Sequence, residues 1–157
     1  MAGMNRRLFL ATLGAAATRA GLAMAQTPAA APLVDVYKSA SCGCCGDWVI
    51  HMEKSGFRTK VTNLSDDDLA DVKTQRKVPL RAQSCHTAIV SGYIVEGHVP
   101  ASDVKRLLKE RPAVVGVAVP GMPIGAPGME MGNTVKPYKV VTFDKAGELK
   151  VYASYGG

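Results

Sequence analysis

Leu33-Val34-Asp35-Val36-Tyr37, the cluster Cys42-Gly43-Cys44-Cys45 and the segment Asp47 to Ser55 form the stretch on which the fold turns. Val34 and Val36 flank Asp35 with the period of a half-buried strand. Asp47 to Ser55 carries Trp48 and Met52 four residues apart and stops at Gly56, which predicts a helix. Outward from there, Phe57 to Thr62 is a second strand. Ser65 precedes Asp66-Asp67-Asp68, an N-cap with three carboxylates in the first turn, and Leu69 and Val72 share the face of a helix running to about Gln75. The acidic run complements the helix dipole rather than forming a metal site. Thr87 to Val90 and Tyr93 to Glu96 form a hairpin around Ser91-Gly92. Ser102 is expected to cap a third helix, Asp103 to Glu110, with Val104, Leu107 and Leu108 inward and Pro112 beyond its end.

That β-α-β-α-β-β-α order, with cysteines between the first strand and the first helix, resembles a thioredoxin-like domain over Leu33 to Glu110. The resemblance implies an α/β fold, a central mixed sheet flanked by helices. Val114 to Met131 holds Pro120, Gly121, Pro123, Gly125, Pro127 and Gly128 and reads as a loop. Tyr138 to Phe143 and Glu148 to Ala153 form a C-terminal hairpin that a minimal thioredoxin fold lacks.

With 157 residues the chain has room for one domain with one core. Its 47% apolar and 20% charged residues are a globular balance, far from that of disorder. The formal charge of +6 includes Arg6, Arg7 and Arg19; without them the excess is +3, and no Lys/Arg cluster is interleaved with aromatics. Nucleic acid is thereby excluded as an expected partner.

The three arginines belong to a different feature. Arg6-Arg7 precedes an apolar run, Leu8 to Ala17, followed by Ala23-Met24-Ala25. This is the layout of an export signal over residues 1 to 25, with paired arginines that resemble the twin-arginine class. A Sec-type signal remains the alternative, and both lead to a periplasmic or exterior location. Residues 26 to 32 read as an Ala/Pro-rich tether and residues 33 to 157 as the single domain, without a membrane anchor in the mature chain.

All four cysteines lie beyond the signal: Cys42, Cys44 and Cys45 together, and Cys85 forty residues on. A structural bridge inside so short a stretch closes almost no loop and contributes little. Cys42 and Cys45 have the C-x-x-C spacing of a disulfide oxidoreductase at a helix start, where backbone N-H groups favour thiolate. Cys44 is surplus to that chemistry, and a third thiol invites misdirected exchange. One dense cluster plus a single sulfur suits zinc poorly, whereas soft Cu(I) accepts thiolate and thioether at low coordination.

Cys85-His86-Thr87 opens the hairpin where thioredoxins carry a proline, so Cys85 or His86 can reach Cys42 and Cys45. For His86, ligation and a local hydrogen bond both stay open. His51 and His98 read as non-ligands. Met122, Met129 and Met131 sit in the Gly/Pro segment away from helical spacing, which leaves thioether ligation and packing both open.

Ser41-Cys42-Gly43-Cys44-Cys45-Gly46-Asp47-Trp48, Ser84-Cys85-His86-Thr87, Val95-Glu96-Gly97-His98-Val99-Pro100-Ala101 and the block Pro120 to Glu130 together resemble the CopG-type periplasmic copper-resistance family. Ala126 stands where serine is expected, at no ligand position. The resemblance implies copper handling at Cys42, Cys44, Cys45 and Cys85, with Met122 and Met129 as soft neighbours and a proposed cycling between Cu(I) and Cu(II). More than one copper ion, with Ag(I) able to substitute, and efflux or chaperone partners are in keeping with it. The fold implies that Cys85 comes within disulfide reach of the cluster, the oxidised protein then holding two bridges. A periplasmic thiol-disulfide oxidoreductase, with Cys42 and Cys45 as its catalytic pair, and a passive copper metallochaperone are the alternatives.

Overall fold

The computed structural model describes residues 30 to 157; the stretch read as an export signal and the first part of the expected tether lie outside the described residues. Seven strands form one mixed sheet: β1 (Leu33–Ser39), β2 (Arg58–Leu64), β3 (His86–Val90), β4 (Tyr93–Glu96), β5 (Gly116–Ala118), β6 (Tyr138–Phe143) and β7 (Leu149–Tyr155). Their order is β2-β1-β3-β4-β5-β6-β7. The β1/β2 and β4/β5 pairs are parallel and the rest antiparallel. The first four strands, with helices α1 (Gly43–Lys54), α2 (Asp66–Gln75) and α3 (Ala101–Glu110), make the thioredoxin-like unit.

The segment from Val114 to Met131 is not all loop. Gly116–Ala118 joins β4 in parallel and β6 in antiparallel register, so the C-terminal hairpin extends the main sheet through β5. Three residues are too few to display a period, and the prolines that follow disguise them.

Adjacent strand residues divide between two apolar clusters. Val95, Val117 and Val140 join the larger one with Trp48, Val49 and Met52 of α1 and Val104 and Leu107 of α3. Ile94, Ala118, Val141 and Phe143 point the other way, toward Val78 and Ala82. Helices α1 and α3 therefore cover one face. Lys73 of α2 reaches Thr87 and Glu96 on the opposite face.

Helix α1 begins four residues earlier than its sequence suggests. Its buried stripe is Cys45, Trp48, Val49 and Met52, the i, i+3, i+4, i+7 spacing of a core-facing helix. Trp48 is fully buried and donates its indole N-H to the Val99 carbonyl at 2.9 Å. Truncation to Ala there costs about 3 to 5 kcal/mol. Ser65 caps α2 as expected, accepting from the Asp68 N-H. Ser102 does not cap α3, because the helix already starts at Ala101 after Pro100. His51 of α1 supplies the acceptor instead, its Nε2 lying 3.1 Å from the Ala101 nitrogen.

Candidate metal centre

Cys42 is the N-cap residue of α1, with no side-chain cap, and Cys44 and Cys45 lie in the first turn. Cys45 is fully buried, while Cys42, Cys44 and Cys85 are half-buried. Cys85 sits just before β3, across from the helix start, and the Cys45 sulfur lies 3.8 Å from the Cys85 carbonyl oxygen. All four sulfurs fall within 4.8 Å of one another.

Cys42 and Cys45 form a disulfide with Cα atoms 5.5 Å apart. Cys44 and Cys85 remain free thiols. The convergence of Cys85 on the cluster is as expected, but the second bridge is not formed. Cys85 Sγ faces His98 Nε2 at 2.9 Å, and Cys44 Sγ lies 3.5 Å from the already bridged Cys42 Sγ.

His98, read from the sequence as a non-ligand, is thus in contact with the cluster. It is buried, and its Nδ1 lies 2.7 Å from the Pro127 carbonyl oxygen, so Nδ1 carries the proton and Nε2 presents a lone pair to Cys85. Hairpin register contains the missed signal. A tight Ser91-Gly92 turn pairs Val90 with Tyr93 and Thr87 with Glu96, and continuing the pairing sets Cys85 opposite His98.

His86 is fully buried against Trp48, with ring centroids 4.4 Å apart, and its Nδ1 is 3.4 Å from Cys85 Sγ. Its Nε2 has no hydrogen-bond partner among the described residues. Cys85, His86 and His98 form a second group whose donor atoms lie within 4.8 Å of one another. Cys85 therefore belongs both to an all-sulfur set and to a mixed sulfur and nitrogen set.

Burial sets the protonation states. It pushes the Cys85 thiol up to about 12, with neighbouring Cys44 adding to the shift and a hydrogen bond to Ser84 opposing it. It holds His86 well below its ordinary value, helped by His98 and Lys73. It also lowers His98, against the opposing pull of the Pro127 carbonyl and Glu130. Both imidazoles are accordingly neutral, the form that ligates metal.

The Gly/Pro segment closes over the first turn of α1. Gly128 adopts φ +81, and a Cβ on it would stand 2.7 Å from both the Cys44 carbonyl oxygen and the Trp48 nitrogen. Only glycine permits that approach. Met129, half-buried, follows immediately, whereas Met122 and Met131 each expose more than half their surface. The structure thus brings the four cysteines and His86 together, sets Met129 next to the residue on the cluster's rim, and leaves Met122 in solvent. A cleft of about 400 Å³ opens beside Cys42 and Cys85, walled in part by Ser39, Asp66, Leu69 and Lys73.

Two solved structures of copper resistance protein CopG are similar to this chain. Form 1 shares 46% identity, covering 80% of this chain and 98% of that one with a TM-score of 0.75. Form 2 shares 44%, covering 80% and 99%, with a TM-score of 0.74. The chain belongs to the CopG family. A family model described as a protein of unknown function, DUF411, also matches residues 82–129. That span begins just before Cys85, contains His98 and ends at Met129. Among curated proteins nothing matches.

Proposed function

We propose that this protein is exported, binds Cu(I) at Cys42, Cys44, Cys45 and Cys85, and exchanges electrons there to render copper harmless. The supporting observation is the mutual approach of four sulfurs within 4.8 Å. Four convergent thiolates are a soft donor set that prefers Cu(I) and accepts Ag(I), and adjacent thiolates can bridge two ions. The CopG relatives are named copper resistance proteins, which agrees with that chemistry. His86 and His98 extend the donor set on one side of Cys85, and Met129 follows Gly128, whose backbone lies on the first turn of α1; Met122, exposed, would serve ions arriving from solvent.

The bridge between Cys42 and Cys45 supports a redox role. When the reduced pair meets Cu(II), two copper ions each take one electron. The two thiols lose two electrons and two protons and join as the disulfide, so two Cu(I) ions are produced and Cys44 and Cys85 are the free sulfurs in that state, whereas the four-sulfur set belongs to the reduced chain. Export is supported by Arg6-Arg7 and the Ala23-Met24-Ala25 triplet. Among the described residues no helix is long and apolar enough to cross a membrane.

A second reading, thiol-disulfide exchange with other exported proteins, is favoured by one observation: Cys42, the half-buried member of the bridge, borders an open cleft while Cys45 is sealed. Anaerobic titration of the reduced mature protein with Cu(I) and a competing chelator separates the two. Retention of more than one copper per chain is the expected result. No retained copper together with reduction of insulin disulfides establishes the exchanger.

A further inference from the structure

Glu96 is fully buried at the end of β4, and its partner Lys73 is nearly so. One carboxylate oxygen accepts from Lys73 Nζ at 2.5 Å and from the Ser84 backbone N-H at 2.8 Å. The other accepts from the Thr87 hydroxyl at 2.6 Å, and Thr87 Oγ1 in turn accepts from Lys73 at 3.0 Å. Ser84 and Thr87 are the residues on either side of Cys85-His86. A single side chain therefore grips both ends of the dipeptide that presents the fourth sulfur.

The next two residues of the chain continue the grip. The Gly97 N-H donates to the His86 carbonyl at 2.9 Å, and His98 meets the Cys85 sulfur. Gly97 has φ +71, and a Cβ there would collide with the Ser84 side chain, so only glycine lets this strand end approach the turn so closely. Ser84 also donates its hydroxyl to the Gly121 carbonyl, which ties the same turn to the Gly/Pro segment.

An ion pair taken wholly out of water seldom adds stability over well-packed apolar residues of the same volume. Its use is geometric, since every acceptor must be filled and only one arrangement fills them. We infer that Glu96, with Lys73 as its counter-ion, is a positioning residue that holds Cys85 in register with Cys42, Cys44 and Cys45. The inference rests on the Cu(I)-binding reading. It concerns the order of the Cys85 turn and does not require Glu96 to touch metal.

The test uses the reduced mature chain and three variants. Lys73→Met with Glu96→Leu replaces the network by an apolar pair and leaves the Ser84 N-H unheld. Lys73→Met with Glu96→Gln removes the same charges yet keeps an amide oxygen for that N-H, and Glu96→Gln alone is a third arm should the apolar pair fail to fold. Folded protein of unchanged circular dichroism is titrated with Cu(I) against a chelator, and the rates at which iodoacetamide modifies Cys85 and Cys44 are compared by mass spectrometry. The apolar pair is expected to lose about tenfold or more in Cu(I) affinity, as loss of an outer support does at other metal sites, and to raise the Cys85 to Cys44 modification ratio. The Gln pair is expected to restore most of both, which a merely stabilising role would not produce. Apolar-pair affinity within about twofold of the parent, or an unchanged modification ratio, overturns the positioning role. Should the parent itself hold no Cu(I), the copper reading fails and the modification ratio alone decides the fate of this one.

Discussion

His98 Nε2 lies 2.9 Å from Cys85 Sγ while its other ring nitrogen is occupied by the Pro127 carbonyl, so the imidazole lone pair is aimed at the fourth cysteine of the cluster. The residue arrives there because β3 and β4 pair without a break up to their ends, and Pro127 fixes the ring from the Gly/Pro segment. Three separate parts of the chain thus converge on one thiol. Replacing His98 by Ala should weaken Cu(I) binding by about tenfold to a hundredfold, the range for loss of a group that supports or joins a metal site. Chelator competition on the folded variant reads this directly, and unchanged affinity would remove His98 from the centre.

Cys44 is surplus to a dithiol couple but 3.5 Å from Cys42 Sγ. Cys44→Ser should lower the number of coppers held per chain while Cys42 and Cys45 still bridge on oxidation. Mass spectrometry of the loaded and the oxidised variant gives both quantities. Full copper stoichiometry without Cys44 would leave it no role in binding.

Much of this architecture is legible in the sequence. The alternation in β1, the Ser65 cap and the Ser91-Gly92 hairpin follow local rules, and local rules were obeyed. The true start of α1 was hidden by Gly43 and Gly46, poor helix formers whose cost is offset by packing of Trp48 and by the Gly128 backbone laid on the first turn. Strand β5 was hidden by its length. Among site residues the cysteines announced themselves by clustering; His98 required carrying hairpin register two residues past the strand, where a lone histidine gives no periodic signal. Nor could sequence reveal that Glu96, Gly97 and His98 act in succession on one turn.

His51 accepts from the Ala101 N-H and is thereby the acceptor for the first turn of α3. Burial lowers its pKa below the ordinary 6.5, against the pull of Glu130. Since the folded state binds its proton less readily than the unfolded state, the stability this contributes is complete above about pH 6.5 and is lost as pH falls through the lowered value. Urea midpoints of the metal-free protein should therefore drop between pH 7.5 and pH 5, and His51→Gln should show a shallower drop. An equal slope in the two proteins would contradict the role.

Gly128→Ala puts a methyl group into the backbone of α1 at an unfavourable φ. A loss of about 1 to 3 kcal/mol in unfolding free energy is expected from the backbone conformation alone. Displacement of the Gly/Pro segment should also release His98 from Pro127, so copper affinity falls together with stability. Urea unfolding and chelator competition on one preparation test the coupling.

Arg6→Lys with Arg7→Lys should trap precursor in the cytoplasm. Fractionation of cells carrying the variant measures it, and unchanged export would point to the Sec route.

Copper K-edge absorption on the reduced, Cu(I)-loaded protein reports which atoms surround the metal. Four converging thiolates predict a first shell dominated by sulfur at low coordination number, depleted when Cys85 is changed to Ser. A first shell of nitrogen and oxygen without sulfur would contradict the account.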